Sequence, residues 1–247
     1  MSIDRRNLLL GGLALPFVAN AARAQTAAPP KEESWDQRWQ RLLREDFGHL
    51  FRYRDDDATV RASGRPVDIV FMGDSITEGW RDKRPGFFTP GRVGRGISGQ
   101  TTPQMLVRFQ PDVIDLKPRR VHIMAGTNDI AGNTGPMTEE ATRDNFRAMA
   151  TLAKANGIHV ILASIPPAGA FPWRPGLEVR TPIASLNRWL KGYAAEIGAT
   201  WVDYHPALAD ASGAMKPGMA NDGVHPTEAG YAAMEAVLEP VLQDGSS

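Results

Sequence analysis

Residues 67–79 read Val-Asp-Ile-Val-Phe-Met-Gly-Asp-Ser-Ile-Thr-Glu-Gly, an apolar run that ends in a Gly-Asp-Ser turn. The run from Val67 to Met72 has the length and β-branched content of a buried strand. Gly73 permits the sharp turn that would lift Ser75 off the edge of a sheet. The pattern therefore indicates either a nucleophilic serine or an ordinary turn whose residues cap the following helix.

The rest of the chain alternates short apolar runs with helical patterns. Further strands are predicted at Val121 to Ala125, His159 to Ala163 and Thr200 to Val202. Helices are predicted at Thr102 to Phe109, Thr138 to Ala155, Pro182 to Ile197 and Glu228 to Leu242, with an earlier amphipathic helix that carries Trp35, Trp39 and Phe47. This alternation predicts an α/β fold, a three-layer α/β/α sandwich with a mostly parallel central sheet.

The first 24 residues have the pattern of a cleaved export signal, with Arg5-Arg6, a short apolar stretch and a small-residue site ending at Ala24. The apolar stretch is shorter than the roughly 20 residues that span a bilayer, so no stable membrane insertion is expected after cleavage. The arginine pair resembles a twin-arginine signal, and the general secretory route stays open. We expect a periplasmic or secreted bacterial protein.

The remaining residues divide into two expected parts. Residues 25–60 are predicted to form a spacer and an N-terminal docking helix without catalytic residues, and residues 61–247 a single α/β domain. The 28 basic and 28 acidic residues balance, so no nucleic-acid partner is expected. The chain has no cysteine, which excludes disulfides, thiolate metal sites and a cysteine nucleophile.

One glycine motif satisfies a nucleotide-binding pattern by spacing alone. Gly94-Arg-Gly-Ile-Ser-Gly99 has the glycine positions of a dinucleotide-binding turn. A convincing fingerprint follows a strand and opens directly into a helix, and only Val93 precedes this one. Nucleotide binding is therefore not favoured.

A serine hydroxyl needs a histidine base and usually a carboxylate before it acts as a nucleophile. Four of the five histidines, His49, His122, His159 and His205, are more typical of structural residues. His225 lies in a turn-rich loop before the last helix, where Asp222 is close enough in sequence to hydrogen-bond it. The loop also fits a plain helix start capped by Thr227, and Asp203 is an alternative carboxylate.

Acyl transfer also requires hydrogen-bond donors for the oxyanion of a tetrahedral intermediate. Gly99 offers a backbone N–H with no side chain beside it. Asn128 follows a predicted buried strand and can direct its amide into the same space. Because the carboxyl ends of parallel strands face one crevice, we expect Ser75 and Asn128 to converge there.

These segments together resemble the SGNH hydrolases, also called the GDSL esterase family. The matching blocks, in the family's order and approximate spacing, are Gly73-Asp74-Ser75, Gly99, Gly126-Thr127-Asn128-Asp129 and Asp222-x-x-His225. The similarity covers about Asp68 to Leu242, and residues 96–102 most resemble the branch of platelet-activating-factor acetylhydrolase catalytic subunits and bacterial acyl-ester hydrolases. The chain departs from the pattern at Ile76, where the family has Leu, and at Gly94, where many relatives carry Asn.

The resemblance implies a flavodoxin-like hydrolase fold and a serine esterase without metal or cofactor. It makes Ser75 the nucleophile, His225 the general base and then acid, and Asp222 its orienting carboxylate. The backbone N–H groups of Ser75 and Gly99 and the side chain of Asn128 would form the oxyanion hole. We also expect Asp74 and Trp173 to contact the substrate.

The substrate is predicted from less specific features. No long apolar lid segment is visible, which favours short-chain, chiefly acetyl, esters over lipase substrates. The loop from Pro166 to Arg180, with Phe171 and Trp173, either walls the crevice or merely connects two elements. An aromatic wall on an exported esterase indicates deacetylation of carbohydrates. The alternatives are a lysophospholipase- or arylesterase-type lipid acyl hydrolase, a noncatalytic carbohydrate-binding module using Trp80 and Trp173, and a metal-dependent hydrolase.

Overall fold

The computed structural model describes residues 33–244, and the predicted export signal over residues 1–24 lies outside them. The described residues from Trp35 onward belong to one compact unit, which contains the sheet. Its strands are β1 (Ile69–Gly73), β2 (Arg92–Gly96), β3 (Arg120–Met124), β4 (His159–Ala163) and β5 (Thr200–Val202). All are parallel, in the order β2-β1-β3-β4-β5.

The helices within residues 33–244 alternate with these strands. They are α1 (Trp35–Glu45), α2 (Arg54–Ala62), α3 (Ser75–Lys83), α4 (Thr102–Val107), α5 (Phe109–Asp112), α6 (Thr127–Ala131), α7 (Glu139–Ala155), α8 (Arg180–Ile197), α9 (His205–Leu208) and α10 (Glu228–Asp244). Across the same residues, no helix is both long enough and apolar enough to cross a membrane.

The sheet is covered on both faces. Every residue of β1 and β3 is buried, and successive side chains of a strand point to opposite faces. On one face Phe71 of β1 meets Trp80 of α3 edge-on at 5.7 Å, and Trp80 stacks on Tyr231 of α10, also at 5.7 Å. Helices α7 and α8 pack against β4. The predicted three-layer α/β/α sandwich with a parallel central sheet is confirmed.

Strand β2 was not predicted, because its sequence Arg-Val-Gly-Arg-Gly lacks an apolar pattern. Arg95 is nevertheless fully buried and donates to Asp57 of α2 at 2.8 and 2.6 Å. The charge is neutralised within the protein, so a polar segment can lie beside β1. The glycine motif at residues 94–99 therefore starts inside a strand and runs into a turn, and the next helix begins only at Thr102.

Four predicted helices differ in their bounds. Helix α7 begins one residue after the predicted Thr138, and α8 begins two residues before the predicted Pro182. The helix predicted from Thr102 to Phe109 is broken into α4 and α5 at Arg108, and α2 was not predicted at all. Arg108 is fully buried and bonded to Asp112 at 2.7 Å, an arrangement that helical periodicity does not reveal. Helix α10 extends two residues beyond its predicted end at Leu242.

The strand order places a crevice at the end of β1. β2 lies on one side of β1 and the other three strands lie on the opposite side, so the winding of the sheet reverses between β1 and β3. Ligands of doubly wound sheets bind outside the carboxyl ends of the strands at such a reversal. Gly73 and Met124 are paired in register, so the segments carrying Ser75 and Asn128 leave the sheet side by side.

Gly96 of β2 lies against the backbone of α3, and replacing it tests how closely β2 and α3 pack. A Cβ on Gly96 would lie 2.1 Å from the backbone N of Glu78 and 2.7 Å from the backbone O of Asp74. We expect Gly96→Ala to lower the free energy of unfolding by about 1–3 kcal/mol, measured by urea denaturation. The control is Gly192→Ala in α8, which has open space and should gain about 0.5–1 kcal/mol. Equal stabilities of the two variants would contradict the packing.

Candidate active site

A cleft of about 500 Å³ opens at the carboxyl ends of β1 and β3. It is lined by Trp35, Asp36, Trp39, Gln40, Ser75, Ser98, Gly99, Asn128, Gly132, Asn133, Trp173, Arg174 and His225. A second cavity of about 530 Å³, beside α2 and β2, contains none of the predicted site residues. Residues from all four sequence blocks thus meet at one cleft, together with residues 35–40 and 173–174.

Ser75 is presented by a tightly held turn. Gly73 ends β1, and the Asp74 side chain caps α3 by accepting the N–H of Ile76 at 3.0 Å. The carbonyl of Gly73 accepts hydrogen bonds from Arg108 at 2.9 Å and from the N–H of Ile97 at 3.2 Å. Ser75 is the first residue of α3, where helix geometry leaves backbone N–H groups available to another acceptor.

His225 bridges Ser75 and Asp222. Its Nε2 lies 2.9 Å from Ser75 Oγ, and its Nδ1 lies 2.7 Å from Asp222 Oδ2. A carboxylate only accepts hydrogen bonds, so Nδ1 carries the proton. In the neutral imidazole Nε2 is then the acceptor, and the Ser75 hydroxyl donates to it. The arrangement suits proton removal from Ser75.

Asp222 is held ready for this interaction by its own loop. Its Oδ1 accepts the backbone N–H groups of Val224 at 3.0 Å and His225 at 2.8 Å. Burial opposes ionisation of Asp222, but the hydrogen bonds from His225 and Val224 outweigh it and lower the pKa of this carboxyl. Asp222 is therefore a carboxylate at neutral pH.

Asn128 and Gly99, the predicted oxyanion donors besides Ser75, also line the cleft. The Asn128 amide nitrogen donates to the carbonyl of Gln100 at 3.0 Å and makes a longer contact with Asp74 Oδ2 at 3.4 Å. Gly99 has a φ of 80°, a conformation that favours glycine. Both residues line the cleft, and the long contact to Asp74 is the weaker one, which a bound ligand would replace most readily.

Asn133 was missed by the sequence analysis. Its side-chain nitrogen donates to Asn128 Oδ1 at 2.8 Å and to the carbonyl of Gly99 at 3.2 Å. The bond to Oδ1 sets which end of the Asn128 amide carries the donors. The signal available in the sequence was its place five residues after Asn128, just beyond the block of residues 126–129.

Glu78 and Arg108 were also missed. Glu78 accepts the backbone N–H of Ser98 at 2.8 Å and the Ser98 hydroxyl, directly before Gly99. Arg108 donates to Gln100 Oε1 at 2.6 Å as well as to the carbonyl of Gly73. These two side chains tie the segment around Gly99 to the turn before Ser75.

Asp74 occupies a different place from the one expected. It is only 2% exposed and does not line the cleft, and its two oxygens face Ile76 and Asn128. Burial raises the pKa of Asp74 to about 6. We expected Asp74 to contact the substrate. Its buried place beneath the cleft instead makes it a residue that positions its neighbours Ile76 and Asn128.

The remaining candidates lie elsewhere. His122 is buried and bonded to the Tyr204 hydroxyl at 2.9 Å, and burial lowers its pKa to about 3. His159 contacts Thr200 at 2.8 Å, and Asp203 accepts the N–H of His205 at 3.0 Å. Trp80 is fully buried and donates to Glu235 at 3.1 Å, so it offers no surface for sugar stacking.

Aromatic side chains stand on two sides of the cleft. The ring centroid of Trp173 lies 5.9 Å from that of His225 and 5.1 Å from that of Phe171, on which it stacks. Helix α1, predicted only to dock on the domain, contributes Trp35 and Trp39 to the cleft. The periodicity of α1 showed that these residues share a face, but not that the face borders Ser75.

The fold and this cleft define an ester hydrolase of the SGNH class. A model of the GDSL-like lipase/acylhydrolase family matches residues 71–233. The match covers most of the chain, so the chain belongs to this family, and the predicted recognition is confirmed. Its members are acylhydrolases, which identifies the protein as an esterase.

The chain is similar to several known proteins. A GDSL-like lipase from Bacteroides thetaiotaomicron is 44% identical, with a TM-score of 0.75 over 81% of this chain and 99% of that one. An acetylxylan esterase from Geobacillus stearothermophilus, 21% identical with a TM-score of 0.56 over 71% of this chain and 93% of that one, shares the fold. The uncharacterized lipoprotein YqeF of Bacillus subtilis (strain 168) is 39% identical over 78 residues, which span 30% of this chain and 32% of that protein.

Within the part of the chain that the structure describes, no group of three or more His, Asp or Glu side chains is placed to hold a metal ion.

The two aspartates of the site should affect stability with opposite pH dependence. The pKa of Asp74 rises from 3.8 to about 6 on folding, so its stabilising protonated form is lost as pH rises through that window. Asp74→Asn does not titrate there. The melting temperature of Asp74→Asn relative to the parent should therefore increase from pH 4 to pH 7, measured by circular dichroism.

Asp222→Asn is the matched control, because the folded pKa of Asp222 is lowered. In the parent, the ionised carboxylate of Asp222 stabilises the fold at pH values above the pKa that this group has in the unfolded chain. That contribution is lost as pH falls. The melting temperature of Asp222→Asn relative to the parent should therefore decrease from acid to neutral pH. Parallel trends in the two variants would contradict these assignments.

Proposed function

We propose that this protein hydrolyses short-chain, chiefly acetyl, esters of carbohydrates through an acyl-enzyme formed on Ser75. The single observation that carries the proposal is the continuous hydrogen-bonded path from Ser75 Oγ through His225 to Asp222. Such a path removes the proton of a hydroxyl that is otherwise a poor nucleophile.

In the first step Ser75 Oγ attacks the ester carbonyl carbon while its proton moves to His225 Nε2. The tetrahedral intermediate collapses, His225 returns the proton to the leaving oxygen, and the alcohol departs. Water then gives its proton to His225 and attacks the acyl-enzyme, and the acid leaves as Ser75 regains its proton. Asp222 stays ionised throughout and stabilises the imidazolium.

The oxyanion of both intermediates needs donors placed in advance. The backbone N–H groups of Ser75 and Gly99 and the amide of Asn128 are assigned this role. Asn133 and Glu78 position the last two without touching the reacting atoms. The amide of Asn128 exchanges its 3.4 Å contact with Asp74 for the oxyanion.

The carbohydrate assignment rests on the composition of the cleft. Trp173 stands beside His225, which protonates the leaving alcohol, so the alcohol of the substrate is expected against this indole. Arg174, Asn133 and Ser98 add polar groups that suit hydroxyls. The similarity to the acetylxylan esterase concerns the fold alone. A lipid acyl hydrolase is disfavoured, because an acyl chain would be placed among these polar side chains.

We place the enzyme outside the cytoplasm, periplasmic or secreted, on the strength of the export-signal pattern in residues 1–24. Residues 25–60 then act as a spacer followed by a helix that completes the cleft, and residues 61–247 form the hydrolase domain. The partners are small-molecule or saccharide esters, with no nucleic acid and no cofactor.

Ser75→Ala tests the nucleophile. Without the hydroxyl no acyl-enzyme forms, so kcat for p-nitrophenyl acetate should fall by about a thousandfold or more. The melting temperature of the variant should match the parent's, which excludes misfolding as the cause. Activity equal to the parent's would refute the assignment, and loss of the parent's activity on treatment with EDTA would favour the metal-dependent alternative.

Comparing two aspartates tests the orienting carboxylate. Asp222→Asn removes the charge that fixes the Nδ1 proton of His225, so kcat/KM should drop by a hundredfold or more, on the order expected for a lost orienting carboxylate. Asp203→Asn changes a carboxylate that accepts the backbone N–H of His205, and this variant should leave kcat/KM unchanged. The reverse ranking in a p-nitrophenyl acetate assay would reassign the carboxylate.

A further inference from the structure

The cleft has a second aromatic surface that the ester chemistry does not use. Trp35 and Trp39 lie one turn apart on α1 and stack with ring centroids 5.5 Å apart and planes 7° apart. Trp39 is 7% exposed and also packs against His49, whereas Trp35 is 61% exposed. This pair, here termed the Trp35 platform, presents a large indole surface in the cleft that contains Ser75.

The platform lies against the oxyanion side of the site. A Cβ placed on Gly99 would be 3.2 Å from ring atoms of Trp39 and 3.7 Å from Cζ2 of Trp35. Trp173, by contrast, lies beside His225. The Trp35 platform therefore borders Gly99, whereas Trp173 borders His225, and the platform is available to a part of the substrate that Trp173 does not contact.

Polar side chains on α1 define the chemistry of the platform. Asp36 and Gln40 follow Trp35 and Trp39 by one residue, repeat with the same four-residue spacing and line the same cleft. A hydrocarbon chain bound here would desolvate a carboxylate and an amide without compensation. A pyranose ring offers an apolar C–H face to the indole and hydroxyls to Asp36 and Gln40, so it satisfies both kinds of group.

We propose that the Trp35 platform, with Asp36 and Gln40, is a binding subsite for a neutral pyranose ring of an oligosaccharide whose acetylated residue occupies the catalytic centre. This proposal rests on the proposed function and extends it to the length of the substrate. The subsite makes the enzyme selective for acetylated oligomers over acetylated single sugars and simple esters. Helix α1 is then a specificity element of the enzyme.

The kinetic test compares two substrates on one variant. For Trp35→Ala, the loss of kcat/KM on acetylated xylotetraose should exceed the loss on p-nitrophenyl acetate by roughly three- to tenfold, the range of one aromatic stacking contact. The difference should lie in KM, and Trp35→Phe should recover part of it. The control variant is Phe51→Ala, which removes an aromatic side chain that is 68% exposed and lies outside the cleft. It should leave kcat/KM unchanged on both substrates.

A binding measurement separates this proposal from the chemistry. Ser75→Ala is titrated calorimetrically with unacetylated xylotetraose and cellotetraose, and the titration is repeated with Trp35→Ala added. We expect binding of at least one tetrasaccharide that weakens when Trp35 is lost.

Binding of none of the tetrasaccharides, or equal losses on both substrates in the kinetic test, would overturn the platform while leaving the esterase intact. If Trp35→Ala instead loses kcat/KM chiefly on p-nitrophenyl esters with long acyl chains, the platform is an acyl-binding site and the saccharide subsite is overturned. If the parent enzyme hydrolyses no ester, the proposed function itself fails.

Discussion

The active cleft depends on one buried cation, the guanidinium of Arg108. It donates to the carbonyl of Gly73 at 2.9 Å and to the side chain of Gln100 at 2.6 Å, while Asp112 at 2.7 Å balances its charge. The first bond holds the turn that carries Ser75, and the second holds the residue next to Gly99. Because a buried charge without its partners is costly, all these groups are constrained to one arrangement. Arg108 therefore links the position of Ser75, the proposed nucleophile, to that of Gly99, a proposed oxyanion donor.

The topology explains why so few residues complete the site. The reversal of the sheet between β1 and β3 brings the ends of two adjacent strands to one crevice, and each end contributes one reactive group. The loop before α10 then needs only to deliver His225 with its own carboxylate, three residues earlier. Helix α1 contributes Trp35 and Trp39 to the lining of the cleft, in addition to the residues that follow the strands.

Strands β1, β3 and β4 were predictable from sequence because each is an apolar run that is fully or largely buried. The short β5, in which only Val202 is buried, continued the same alternation of strands and helices. β2 was not predictable, because its burial depends on Asp57 from another helix neutralising Arg95. The same limit applies to the site. Ser75, Asn128, Asp222 and His225 belong to recognisable blocks, whereas the roles of Asn133, Glu78 and Trp35 arise from contacts between segments that only the folded chain brings together.

We infer that Ser75 is the covalent nucleophile and that His225 activates it. The decisive measurement is mass spectrometry of the enzyme treated with diethyl p-nitrophenyl phosphate. We expect one diethylphosphoryl group per chain, located on the peptide that contains Ser75 and absent after His225→Ala substitution. Inactivation with the group on any other residue, or full labelling of Ser75 without His225, would contradict it.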